Sequence, residues 1–205
     1  MSPGRSAILL AAGASTRLGQ PKQLVQLEGK SLLRRAAEAA IHSGASPVIV
    51  VLGEPAEILV QELKGLAVSG IVNEAWQEGM GSSLRCGVEA LQRQAPETAA
   101  VLLMVCDQPL ITALHLKSLW DLYAATGKVV SVRHGDRPGV PAIFPARYIP
   151  ELARISGDQG ARSLLRSLGD AEIELVSLPE AEFDLDAPED LFRFLEGGKG
   201  RCSFS

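Results

Sequence analysis

Short apolar runs alternating with amphipathic segments constrain this chain more than any other feature. Residues 7–11, 47–52, 70–73 and 99–105 are compact runs dominated by Ala, Val, Ile and Leu, and they read as buried strands. Between them lie segments of helical period. Ser31 can cap a helix over residues 32–42, where Leu32, Leu33, Ala36, Ala37, Ala40 and Ile41 share one face. Residues 55–64, a stretch marked by Leu84, Val88 and Leu91, and residues 112–125 read as three further helices. Strands separated by helices form βαβ units, so the expected class is α/β: a three-layer, doubly wound, mostly parallel sheet covered on both faces. An antiparallel excursion is expected where residues 129–133 and 140–144 flank the polar turn 134–139. Helices over 146–155 and 161–168, a strand over 172–178 and a last helix from Pro188 to about Leu195 complete the reading. Residues 1–196 are expected to form one domain, with 197–205 a flexible tail without periodicity.

Composition removes several function classes. The chain of 205 residues carries 20 Lys plus Arg against 24 Asp plus Glu, a net charge of −4. Sequence-independent nucleic-acid binding needs a basic excess, so no nucleic-acid partner is expected. Three cysteines without a Cys-x-x-Cys pair and three scattered histidines argue against a disulfide framework or a Cys/His metal site. Any metal here would be a hard cation on oxygen ligands. No apolar stretch approaches the roughly 20 residues of a membrane span, and no basic-then-apolar leader opens the chain. The reading is a cytoplasmic protein with no membrane partner.

Open parallel sheets bind ligands beyond the carboxyl ends of their strands. Four polar or glycine-rich runs stand at such places. The first runs from Leu10 through Ala11, Ala12 and Gly13 to Arg17 and Lys22: small residues let backbone N–H groups approach an anion, and two cations can meet phosphate oxygens. It is neither a Walker A loop nor a Gly-x-Gly-x-x-Gly fingerprint, which argues against hydride transfer. The same run also fits an ordinary loop with two solvated cations. The second, Gly79-Met80-Gly81-Ser82-Ser83, opens a helix whose free N–H groups can hold an anion or the polar edge of a base; Ser82 or Ser83 could equally be a plain N-cap. The third, Cys106-Asp107-Gln108-Pro109, sets a carboxylate directly after the most apolar strand, as a cation ligand or a turn former. In the fourth, Asp184 and Asp186 project to one side if the backbone is extended, and Asp186 with Glu189 also fits a capping box. The run 157–162 could bring Arg162 near phosphate or be a surface turn, and Cys86 and Cys106 read as small buried hydrophobes.

Taken in this order, Leu-Ala-Ala-Gly-x-Ser-x-Arg-x-Gly…Pro-Lys, Gly-Met-Gly-x-Ser-Leu, Cys-Asp-Gln-Pro, Gly-Asp-x-Gly-Ala-Arg and Asp-x-Asp-x-Pro-Glu-Asp-Leu span Leu10 to Leu191. The sequence resembles the molybdenum cofactor cytidylyltransferase family of small molybdenum-cofactor-type nucleotidyltransferases. Ala-Ala-Gly in the opening loop resembles the cytidylyl branch more than the guanylyl branch. One departure concerns the acceptor: members often carry Gly-His-Pro where this chain has Gly139-Val140-Pro141.

The resemblance implies a nucleotide-diphospho-sugar transferase-like, Rossmann-type fold and an Mg²⁺-dependent transfer of CMP from CTP to the terminal phosphate of the molybdopterin cofactor. It implies Arg17, Lys22 and Asp107 as catalytic residues and Asp107 with Asp186 as metal ligands, Asp184 standing behind them or ligating as well. Leu10, Ala11, Ala12, Gly13, Arg17 and Lys22 would cradle the triphosphate, and Gly79, Met80, Gly81, Ser82 and Ser83 would read the base. A recipient molybdoenzyme or its chaperone is the implied protein partner. Two alternatives stay open: a guanylyl- or other nucleotidyltransferase on a different phosphorylated acceptor, and a non-catalytic maturation protein.

Overall fold

Seven of the apolar runs assemble into one sheet whose two faces are both covered. In the computed structural model, residues 4–13, 19–158, 160–187, 189–190 and 194 are described. Strands β1 (Arg5–Ala11), β2 (Gln26–Leu27), β3 (Lys30–Ser31), β4 (Val48–Leu52), β5 (Ser69–Val72), β6 (Ala100–Val105), β7 (Val129–His134), β8 (Arg137–Pro145) and β9 (Ile173–Ser177) alternate with helices. These are α1 (Leu32–His42), α2 (Ala56–Glu62), α3 (Met80–Gln94), α4 (Ala113–Thr126), α5 (Ile149–Leu152) and α6 (Arg162–Ser167). The large sheet runs β5-β4-β1-β6-β8-β7-β9.

Side-chain alternation along β1 explains the layering. Ala7, Leu9 and Ala11 face one core with Leu33 and Ala37 of α1, Leu59 of α2 and Trp120 of α4. Ile8 and Leu10, with Ala12 just beyond the strand, face the other, against Leu84, Val88 and Leu91 of α3, Leu152 of α5 and Leu165 of α6. A strand buried on both sides has no room for alternating polarity, hence its unbroken apolar run. Gly87 of α3 has a backbone reason: a Cβ there would stand 2.7 Å from Ile8 and 3.0 Å from Val51, so the glycine lets α3 lie close on β1 and β4.

Two helix starts follow the capping logic. Ser31 accepts from the backbone N–H of Arg34 at 3.2 Å, and Thr112 caps α4 in a reciprocal box with His115. The expected antiparallel excursion is present: β8 pairs antiparallel with both β6 and β7, while β7 itself runs parallel to β9. One expectation is corrected. The helix expected over 146–155 is a 3-10 turn, Ala146–Tyr148, followed by four-residue α5. Pro150 lacks the N–H that a helix continuing from residue 146 would need. The two-stranded β2–β3 hairpin is an addition; Glu28 (φ 52°) and Gly29 (φ 78°) make its turn, which a Glu-Gly pair signals poorly. The helix expected from Pro188 and the tail over 197–205 lie largely outside the described residues.

The chain leaves β1 toward β4 on one side, and β6 lies on the other. The carboxyl ends of β1 and β6 therefore flank the point where strand order reverses, the place where doubly wound sheets bind ligands.

Candidate active site

Beyond β1 the backbone passes Ala12 and Gly13 and returns through Pro21 into a 3-10 turn, Lys22–Leu24. Gln23, 1% exposed, donates its side-chain amide to the carbonyls of Ala11 (2.8 Å) and Gly13 (3.0 Å). That anchors the backbone at Ala11 and Gly13. Leu10, Ala12, Gly13 and Lys22 line a cleft of about 330 Å³, whereas Ala11 faces the opposite core. Gly53 backs the loop, since a Cβ there would meet the Ala12 carbonyl at 2.9 Å. Arg17 lies outside the described residues.

Lys22 is the centre of the polar cluster. Its ammonium donates to the Asp107 carboxylate and, at 2.9 Å, to Oδ1 of Asp186. The two carboxylates come from residues 79 positions apart in sequence and share one cation. Burial alone would lower the lysine pKa, but the Asp107 charge and the bonds to both carboxylates outweigh it and hold it above its usual value. Lys22 stays charged throughout the physiological range.

Leu185 explains how the distant acidic run reaches this point. Fully buried against Val25, Leu27 and Leu32, it pins its segment to the hairpin that follows Lys22. Asp184 and Asp186 flank it, and both lie beside Asp107, as alternation predicts. Asp186 spends its carboxylate on Lys22; Asp190 makes the local turn, its carboxylate accepting from the N–H groups of Asp186 (3.1 Å) and Ala187 (2.9 Å). Burial and then the Asp107 charge push Asp184 up to about 6. The neighbouring Cys106 thiol, fully buried and next to Asp107, is pushed up to about 12 and packs as a small apolar group. Gln108 donates to the carbonyls of Val140 (3.2 Å) and Ala181 (2.9 Å), fixing the turn after β6.

The start of α3 forms the other wall. Gly79 sits at φ 101°, a backbone region that favours glycine. A Cβ on Gly79 would strike the Asp158 carboxylate, and one on Gly81 would stand 2.7 Å from the Ser156 backbone. The two glycines thus admit the loop around residues 156–158, which accepts the Gly81 N–H on the Gly157 carbonyl at 2.8 Å. Neither serine is an N-cap. Ser82 donates to the carbonyls of Ala75 (2.8 Å) and Gly79 (2.9 Å), and the Asn73 amide donates to Ser82 (2.9 Å) and Ser83 (3.0 Å). Ser82 is consumed in holding the loop, while Gly79, Met80 and Ser83 line the cleft with Trp76 and Asp158. Arg162 is exposed and away from it.

One cleft therefore joins a cationic lysine, the Asp107 carboxylate and a glycine-opened helix start, with Asp186 paired to the same lysine. Among the described residues no three His, Cys, Asp or Glu side chains form a ready metal cage. A hard cation still fits. Asp107 Oδ1 is buried with no hydrogen-bond partner, and the Lys22 ammonium already stands as a cation between two carboxylates. Mg²⁺ bound with phosphates needs only one or two such carboxylates. Sequence reading missed Gln23, Asn73 and Asp158. Asp158 falls within the run 157–162 and Gln23 directly follows Lys22, but only the partner loops reveal what they touch.

A protein-family model described as MobA-like NTP transferase domain matches residues 7–172. The chain is 30% identical over 204 residues to nicotine blue oxidoreductase of Paenarthrobacter nicotinovorans, covering 94% of this chain and 97% of that one. The crystal structure of Rv0371c from Mycobacterium tuberculosis H37Rv superposes with a TM-score of 0.80 at 29% identity, covering 96% of this chain and all of the other. Its complex with manganese gives 0.72 at 28% identity, over 94% and 98% of the two chains.

Proposed function

This chain belongs to the MobA-like NTP transferase family and is a nucleotidyltransferase, and we propose that it transfers CMP from CTP to the terminal phosphate of the molybdopterin form of the molybdenum cofactor. One observation supports this most: Lys22 pairs with both Asp107 and Asp186 at the switch point of the sheet, and Lys22 and Asp107 line the cleft that also holds the start of α3. The Ala11-Ala12-Gly13 run of the opening loop favours CTP over GTP by its resemblance to the cytidylyl branch.

In this reading an oxygen of the acceptor phosphate attacks the α-phosphorus, and the bond to the bridging oxygen breaks to release pyrophosphate. The acceptor needs no strong base, since a phosphate monoester with a second pKa of about 6 is already largely ionised near neutrality. Asp107 and Asp186 would hold Mg²⁺, which when bound neutralises phosphate charge. Lys22 then meets the β- and γ-phosphates, and Arg17 is assigned to the same charge. Gln23 keeps the Ala12–Gly13 backbone in place, which favours alignment of the chain of phosphates. The recipient molybdoenzyme or its chaperone remains the expected protein partner.

The test is incubation of the protein with Mg²⁺, molybdopterin and CTP, GTP or ATP in turn, with the product identified by mass. A cytidylated cofactor formed from CTP alone is expected. A guanylated or adenylated product moves the assignment to another nucleotide. Pyrophosphate release with other phosphorylated acceptors but not with molybdopterin replaces the acceptor. A second reading, oxidoreductase, is favoured by the name of the Paenarthrobacter relative. It predicts binding of NADH or NADPH, and the absence of the dinucleotide fingerprint after β1 weighs against it.

A further inference from the structure

We propose that Asp158 reads the exocyclic amino group of the nucleotide base and thereby sets a preference for CTP over UTP, an inference that rests on the nucleotidyltransferase reading above. Asp158 lines the same cleft as Lys22 and Asp107. Its carboxylate packs on Gly79 at the start of α3, the segment that follows β5. Lys22 enters the cleft from the turn that follows β1, whereas Asp158 enters it against the start of α3, so the two charges reach the cleft from different elements.

Charge decides which end of the nucleotide goes where. The triphosphate belongs at Lys22. Phosphate at the start of α3 would face a carboxylate that already takes the positive end of this 15-residue helix. What this end can accept is a neutral group. Trp76 and Met80 line it with apolar surface, which suits a flat base. Asp158 makes no hydrogen bond or ion pair among the described residues. An ionised carboxylate only accepts hydrogen bonds, so its partner must be a donor. Cytosine presents an amino group where uracil presents a carbonyl oxygen, and the carboxylate attracts the first and repels the second. Ribose hydroxyls are donors too. They sit between base and phosphates, nearer Lys22, so the base is the better match for a group held at Gly79.

The experiment measures dissociation constants of CTP, UTP and 2′-deoxy-CTP for the full chain with Mg²⁺, in the native protein, Asp158→Asn and Asp158→Ala. Native protein is expected to bind CTP well over tenfold more tightly than UTP, as a site built around a donor rejects a base lacking it. Asp158→Asn, whose amide can turn its own N–H groups to a carbonyl, should narrow that ratio by at least about tenfold, with UTP gaining as CTP loses. Asp158→Ala should lose the preference without a gain for UTP. Equal weakening of CTP and UTP overturns the proposal. So does a loss seen with CTP but absent with 2′-deoxy-CTP, which would assign Asp158 to the ribose. If native protein binds no nucleoside triphosphate at all, the nucleotidyltransferase reading falls with it; if it binds them and the ratio does not move, base reading alone falls.

Discussion

The backbone N–H of Leu185 donates to the carbonyl of Asp107 at 2.8 Å, so two segments 78 residues apart are stitched together within one residue of each acidic side chain of the site. Geometry at Lys22 therefore depends on a leucine that touches no polar group through its side chain. Leu185→Ala should cost about 2–4 kcal/mol of stability through the cavity it leaves. It should also weaken nucleotide binding, measured with Mg²⁺ present, beyond what a loss of folded protein explains. Denaturant unfolding, with calorimetric titration of the folded fraction, measures both.

Removing the shared cation should be more damaging to activity than to fold. Lys22→Met leaves Asp107 and Asp186 facing each other with nothing between. Turnover should fall by at least about 100-fold, the usual cost of deleting one pre-organised charge contact. Asp186 is half exposed, so the stability loss at neutral pH should stay at about 1–3 kcal/mol. Product formation and urea midpoints at neutral pH check the two parts separately.

Helix-interior glycine is ordinarily worth replacing: alanine gains roughly 0.5–1 kcal/mol. Gly81→Ala should do the opposite, because its Cβ would stand 2.7 Å from the Ser156 backbone. A loss of about 1–3 kcal/mol is expected from the forced separation of the two segments. Nucleotide affinity should drop with it, since the displaced loop carries Asp158. Thermal unfolding with and without CTP reads both effects.

Asp184 supplies a pH signature for the metal-free protein. Its folded pKa, near 6, lies above the unfolded value of 3.8, so the fold binds its proton more tightly. Its contribution is fully present below pH 3.8, declines as pH rises through 6, and is a net cost above that. Asp184→Asn should thus stabilise the metal-free protein by roughly 1–2 kcal/mol at pH 7.5, the full difference being reduced by residual solvent contact, and by little at pH 4.5. A variant less stable than native protein at pH 7.5 would contradict this.

Much of the fold was legible because β1, β4 and β6 are apolar on both faces, and that pattern fits little besides a covered parallel sheet. Helix α1 was legible to the residue because Ser31 carries a strong cap. Residues 146–155 misled because Pro150 sits within an otherwise periodic stretch. At the site, Asp107 and Lys22 stand out through strand-end position and charge. What sequence cannot display is which carbonyl a buried amide will satisfy, and so Gln23, Asn73 and Asp158 acquired their places only with the tertiary structure. The Gly-Met-Gly run shows the difference best. It looked like a cradle for a ligand, and its glycines also make way for the protein's own loop at 156–158.

The reversed strand β8 has a consequence for biosynthesis. It reaches the sheet from later in the chain, yet it fills the place beside β6. Until the ribosome has released residue 145, the outer edge of β6, bearing Ala100, Val101, Leu102 and Leu103, has no native neighbour. A nascent chain paused after α4 offers an open, apolar template to any other extended segment. Cells making this protein have reason to keep a chaperone on the emerging polypeptide for that interval.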